Sequence, residues 1–128
     1  MMQKEEGLHT GAPGSDLTLR PLEPGDLPEI MDIERQGYSH PWTEGIFLDC
    51  FKPSYRLWAA CQGSSVIGYF VVSYVLDEVQ LLNLCVHPGY RGLGAGRFLL
   101  RHLLAEAARE SMNQVILEVR LSNKVASK

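Results

Sequence analysis

No Cys-x-x-Cys pair occurs in this sequence, and its three cysteines, Cys50, Cys61 and Cys85, are widely spaced and odd in number. A disulfide framework is therefore not expected, and a reducing, cytoplasmic setting is. The four histidines are scattered, no zinc-type spacing arises, and no metal is expected. Positive charge is also scarce: 12 Lys and Arg stand against 15 Asp and Glu, a net charge of −3. A general nucleic-acid surface is not indicated. No apolar run approaches the roughly 20 residues of a membrane span. The opening MMQKEEGLHTGAPGS has no apolar core of a secretory signal. Internal repeats and low-complexity tracts are absent as well.

What remains is an ordinary globular composition, 45% apolar and 21% charged, over 128 residues. That is one domain. Residues 1–15, rich in Gly and polar side chains, read as a flexible leader, and residues 16–128 as the domain. Leu17–Arg20 alternates like a short strand. Pro24-Gly25-Asp26 predicts a turn and a helix start, with Asp26 as N-cap. Leu27, Ile30, Met31 and Ile33 recur at helical spacing, and Gly37 ends the helix. A second short helix begins at Thr43-Glu44 and carries Ile46, Phe47 and Cys50.

Strands are expected at Arg56–Cys61, Val66–Val75 and Val79–Val86, with a hairpin turn at Asp77-Glu78. A helix over about Arg97–Met112 follows, its Leu99, Leu103, Ala107 and Leu100, Leu104, Ala108 repeating every four residues. Val115–Arg120 reads as the next strand, parallel to Val79–Val86 across a strand-helix-strand unit. The order β-α-α-β-β-β-α-β gives an α/β (α+β) fold with a mixed central sheet flanked by helices.

The segment VHPGYRGLGAGR carries four glycines, Gly89, Gly92, Gly94 and Gly96, between a strand and a helix. Such a loop is suited to an anion: backbone N–H groups converge and the helix dipole adds positive potential. Arg91 and Arg97 supply cations. The Walker pattern fails because no Gly-Lys pair occurs here. The dinucleotide pattern GxGxxG fails at Leu99 or at Arg97, depending on the starting glycine. Arg91-Gly92-Leu93-Gly94-Ala95-Gly96 fits [QR]xxGx[GA].

That pattern resembles the pyrophosphate loop of the GNAT superfamily of N-acetyltransferases, which bind acetyl-coenzyme A. PWTEGIF, VLDEVQLLNLCVHPGYRGLGAGR and LEVRLSN, in this order, resemble the bacterial ribosomal-protein-alanine N-acetyltransferases within it. The resemblance runs from about Asp16 to the end of the chain. It implies that Leu84, Cys85 and Val86 offer backbone groups to pantetheine and to the acetyl carbonyl, where an N–H stabilises an oxyanion. It assigns Arg91, Gly92, Leu93, Gly94, Ala95, Gly96 and Arg97 to the diphosphate, and Asn123 to the coenzyme. It makes Glu118 the general base that relieves the incoming amine of its proton.

On residue chemistry alone, Glu118 also fits a solvated face or salt bridge, and Asn123 a helix cap. Cys85 reads as a small packed hydrophobe, since the family transfers acetyl directly to the amine. His87 reads as a loop residue. Trp42, Tyr38, Glu44, Asp77 and Glu78 are expected to border a groove, the acids suiting a cationic peptide terminus or serving equally as caps and turn residues. Family members continue past Lys128 with a helix bearing a proton-donating tyrosine and two further strands, so the domain is expected to be C-terminally incomplete. The implied function is acetyl-CoA-dependent N-α-acetylation of a protein N-terminus, the alanine of a small-subunit ribosomal protein, by a monomer or weak dimer. Acetylation of a lysine or small amine, and a non-catalytic coenzyme A-binding module, are the competing readings.

Overall fold

The computed structural model describes residues 17–92 and 94–117. Five strands make one sheet in the order β1-β2-β3-β4-β5. They are β1 Leu17–Pro21, β2 Tyr55–Gln62, β3 Ser65–Val75, β4 Glu78–Val86 and β5 Gln114–Ile116. Neighbours from β1 to β4 pair antiparallel, and β4 pairs parallel with β5. Helices α1 Leu27–Gly37 and α2 Glu44–Asp49 precede β2, and α3 Ala95–Arg109 carries the chain from β4 to β5. This is the expected element order. Among the described residues, no helix is long and apolar enough to cross a membrane.

The helices cover opposite faces of the sheet. On one face α1 buries Leu27, Ile30 and Ile33 with Phe47 of α2 against Tyr69 and Val71. On the other, α3 buries Leu99, Leu103 and Ala107 against Ile67, Phe70 and Val72. The four-residue spacing of α3 therefore reflects one buried stripe. Gly68 lies where sheet and helix are closest. A Cβ added there would come within 3.1 Å of the Cys85 carbonyl and 3.2 Å of Leu99 Cδ1.

Local differences from the sequence expectation have simple causes. Asp26 does not cap α1 with its side chain. Its backbone is already helical, φ −83° and ψ −9°, because a 3-10 turn at Pro24–Asp26 leads into the helix. A capping residue is normally extended. The Asp26 carboxylate instead takes both Arg20 guanidinium nitrogens, at 2.7 and 2.8 Å, and the Glu23 N–H at 2.8 Å. Thr43 does cap α2: it is extended, and its hydroxyl accepts the Ile46 N–H at 3.3 Å.

Helix α3 begins two residues earlier than expected, because Gly94 at φ 87° turns the chain into it. It ends three residues earlier, where Ser111 at φ 58° takes the left-handed position and Met112 N–H closes on Ala107 O at 3.0 Å. That is a Schellman-type stop. The β3–β4 turn lies on Leu76-Asp77, with Leu76 at φ 56° and Glu78 already in the strand.

Strand β4 is irregular in a way that matters below. Val71 stands opposite Asn83, but Val72 stands opposite Leu81, so Leu82 is an extra residue in the ladder. On its other side β4 pairs with β5 only through Glu78–Gln80 among the described residues.

Candidate active site

Beyond Gln80 the far edge of β4 is open among the described residues. His87 N–H bonds Ile67 O at 2.7 Å, so the backbone of His87 faces β3. Alternation then turns Cys85 toward β3 as well, and turns the N–H and C=O of Leu84 and Val86 to the open edge. Beside that edge lies a groove of about 560 Å³, lined by Leu84 to Val86, by Gly92, Gly94, Ala95 and Gly96, and by Arg91 and Arg97. Crevices at the carboxyl ends of parallel strands are where open α/β sheets bind ligands. A second cavity of about 400 Å³, near Cys50 and Trp58, lacks the loop and the open edge.

The loop is built for close approach. Gly92 and Gly94 take φ 82° and 87°, conformations that a side chain strains. Gly94 leads directly into α3, whose first N–H groups have no partner inside the helix. The first turn of α3 holds no acid, and Arg97 lies in it. A cation there opposes the helix dipole, so the local charge favours an anionic ligand. Arg91 is half-buried, with one guanidinium nitrogen 4.0 Å from Cys85 Sγ.

Cys85 is 2% exposed, and burial first, then the neighbouring Glu34, pushes its thiol up from the ordinary value. A thiol held protonated is a poor nucleophile, which agrees with a packing role. His87 accepts the Gly89 N–H at 2.9 Å and meets Tyr90 edge-on, as a loop-shaping residue does.

Beneath the open edge lies a polar cluster that sequence reasoning missed. Glu34, on the inward face of α1, is 0% exposed. It accepts Tyr69 Oη at 2.5 Å and Asn83 Nδ2 at 3.0 Å on one oxygen, and Trp42 N–H at 2.9 Å on the other. Tyr38 Oη lies 3.0 Å from Asn83 Oδ1 and 3.0 Å from Leu84 O. Burial raises the Tyr69 phenol well above its ordinary value, so it remains a donor. The signal was available: Glu34 lies four residues after Ile30 and seven after Leu27, on the apolar stripe.

The expected site residues thus divide. Leu84, Cys85, Val86, Arg91, Gly92, Gly94, Ala95, Gly96 and Arg97 meet at one groove. Leu93, Glu118 and Asn123 lie outside the described residues. Asp77 and Glu78, expected beside the acceptor groove, are at the opposite end of β4, about 20 Å from Leu84 by strand rise. Asp77 there accepts the Asn113 side chain, as a turn residue. Trp42 packs edge-on against Phe47 at 5.1 Å.

Comparison with known proteins agrees with this geometry. A sequence model of the acetyltransferase (GNAT) family matches residues 27–128. The [ribosomal protein bS18]-alanine N-acetyltransferase of Escherichia coli K12 is 35% identical over 109 residues, covering 85% of this chain and 74% of that protein. The crystal structure of the ribosomal-protein-S18-alanine N-acetyltransferase from Escherichia coli superimposes with a TM-score of 0.78 at 34% identity, over 87% of this chain and 72% of that one. Ard1 from Thermoplasma volcanium gives 0.74 at 26% identity, over 87% and 76%.

Proposed function

The chain belongs to the acetyltransferase (GNAT) family, and from that premise we propose that it acetylates a protein N-terminus with acetyl-CoA, the acceptor being the alanine of a bS18-type ribosomal protein. The observation that carries this reading is the meeting of an open strand edge with a glycine loop at a helix N-terminus. The residues present fit the coenzyme. Gly92, Gly94, Ala95 and Gly96 present N–H groups to a diphosphate, and Arg91 and Arg97 balance its charge. The family resemblance adds Leu93 to the diphosphate contacts. Leu84 and Val86 offer the hydrogen-bonding edge along which a pantetheine arm lies like an added strand. Cys85 packs beside it. Acetyl-CoA supplies the activated acyl group as a thioester.

As the amine's N–C bond to the acyl carbon forms, the thioester C–S bond breaks. The coenzyme leaves as a thiolate that takes up a proton from solvent or from a donor outside these residues. The other roles fall to this chain. An α-amino group has a pKa near 8, so it arrives mostly protonated at pH 7. Glu118 takes that proton, directly or through a water. Leu84 N–H is the donor for the acyl oxygen, where negative charge develops. Asn123 is assigned to the coenzyme by the family resemblance. The acceptor's likeness to bS18 rests on the relatives, which carry that substrate in their names.

Mass spectrometry tests the proposal. The chain is incubated with acetyl-CoA and a peptide bearing both an N-terminal alanine and an internal lysine. Acetyl is expected on the terminus alone. Acetylation of the lysine, or of a polyamine in preference to the peptide, replaces the acceptor. Coenzyme binding without transfer favours a non-catalytic module. Glu118→Gln is expected to lower kcat by about 10²-fold or more, and unchanged turnover removes Glu118 from the role of base.

A further inference from the structure

A hydrogen bond from the α1 face of the sheet reaches the strand edge that lines the groove. Leu84 O points away from β3, and Tyr38 Oη lies 3.0 Å from it. Tyr38 is 3% exposed and follows directly on the end of α1. It reaches β4 from the α1 face of the sheet.

The phenol is not placed by packing alone. Its oxygen also lies 3.0 Å from Asn83 Oδ1. The other end of that amide, Nδ2, donates to Glu34 at 3.0 Å. This fixes the amide's orientation, nitrogen to the carboxylate and oxygen toward the phenol, whose single proton is shared between Asn83 Oδ1 and Leu84 O. Glu34 is held in turn by Tyr69 and by the N–H of Trp42. A fully buried carboxylate thus links the loop before α2 to one peptide group on the open edge of β4. Directional networks of this kind fix one geometry where apolar packing tolerates several.

The carbonyl so held belongs to the Leu84–Cys85 peptide. Leu84 N–H, in the preceding peptide and joined to it through the Leu84 Cα, turns to the same edge and is the donor proposed above for the acyl oxygen. We infer that Tyr38 is a positioning residue for acyl transfer: with Asn83 and Glu34 it fixes the orientation of Leu84 at the reacting end of the groove. This inference rests on the acetyl-CoA reading of the site. It assigns Tyr38 no contact with substrate. The loop and Val86, which hold the rest of the coenzyme, are untouched by it. Loss of the phenol oxygen therefore affects the reacting end and spares the handle.

The test is Tyr38→Phe in the full chain, which keeps the ring and removes the hydroxyl. Turnover of an alanine-terminated peptide is measured together with acetyl-CoA affinity by calorimetry. The expected result is kcat lower by about tenfold, the order of loss that a small misplacement of a reacting group produces. Acetyl-CoA affinity is expected to stay within about twofold, since uniform binding is not what is lost. Unchanged kcat overturns the inference and leaves the acetyl-CoA reading intact. So does an equal loss of kcat and coenzyme affinity. Failure of the unaltered chain to bind acetyl-CoA overturns both. Should Tyr38→Phe not fold, hydroxyl proton exchange in the unaltered protein decides. Slow exchange of the Tyr38 hydroxyl with acetyl-CoA bound supports the inference, and exchange as fast as that of an exposed phenol overturns it.

Discussion

The two faces of the sheet are held by different physics. Against α3 the interior is hydrocarbon: Ile67, Phe70, Val72, Leu99, Leu103 and Ala107. Two ionisable groups accompany it, His102 and the buried Glu106, which takes Arg109 at 2.5 Å. Against α1 the interior contains a carboxylate, two phenols and an amide, all buried. Apolar contact is non-directional and supplies stability by area. Hydrogen bonds are directional, contribute little net stability, and cost much when one partner is removed. One face therefore holds the fold together, while the other fixes the geometry of a particular strand edge. The difference teaches that the polar face should be the more brittle of the two.

That contrast can be broken at four points. The largest effect on stability is expected for Glu34→Ala, which strands the Tyr69 hydroxyl, the Asn83 amide and the Trp42 N–H. About 4 kcal/mol of unfolding free energy should be lost, measured by urea denaturation. Leu99→Ala on the dry face should cost about 3 kcal/mol as a cavity substitution. If Leu99→Ala costs clearly more than Glu34→Ala, the polar face is not the brittle one. Gly68→Ala tests the close approach of β3 to α3, because its Cβ would meet the Cys85 carbonyl at 3.1 Å. It should cost about 1–2 kcal/mol through overpacking, and a neutral result would show that α3 can move away.

The smallest effect concerns pH. His102 packs edge-on to Trp58 at 4.5 Å, and its Nε2 lies 3.5 Å from Glu106 without making a hydrogen bond. Burial lowers its pKa below the ordinary 6.5, with Glu106 opposing and Arg109 reinforcing the shift. Above the unfolded value both states hold the ring neutral, and it adds no pH dependence. As pH falls through 6.5 toward the lower folded value, the unfolded state binds the proton first, so stability declines. His102→Gln should flatten the slope of melting temperature in that window. A slope that survives the substitution assigns the dependence to another group.

The order of elements, the parallel crossover and the loop were all legible in the sequence. Each is a local signal: alternation, a four-residue period, a strand-to-helix run of glycines. The residues of the groove were legible for the same reason, since all but the strand edge lie within one short segment. The polar cluster was not. Glu34, Tyr38, Tyr69 and Asn83 are separated by up to 49 positions, and only the sheet brings them together. Asp26 does stand at the N-cap position of α1, but its carboxylate goes to Arg20, six residues earlier, and to the Glu23 N–H instead of capping the helix. Turn chemistry assigned Asp77 and Glu78 to the correct hairpin, but it does not say which end of β4 faces the groove.

The extra residue at Leu82 has a consequence for how this protein tolerates change. Up to it, the odd-numbered side chains Val79 and Leu81 pack on the α3 side. Beyond it, the even-numbered Leu84 and Val86 do, and Cys85 packs on the α1 side, where Asn83 meets Glu34. Leu82 and Asn83 both lie on the α1 side, so the bulge absorbs one residue without exchanging the faces. Removing Leu82 would leave Asn83 on Glu34 and Leu84 and Val86 against α3, with plain alternation restored along β4. A one-residue deletion at a regular position of the strand would instead turn over every side chain beyond it. The bulge is thus the one place in β4 where the chain can lose a residue and keep its faces.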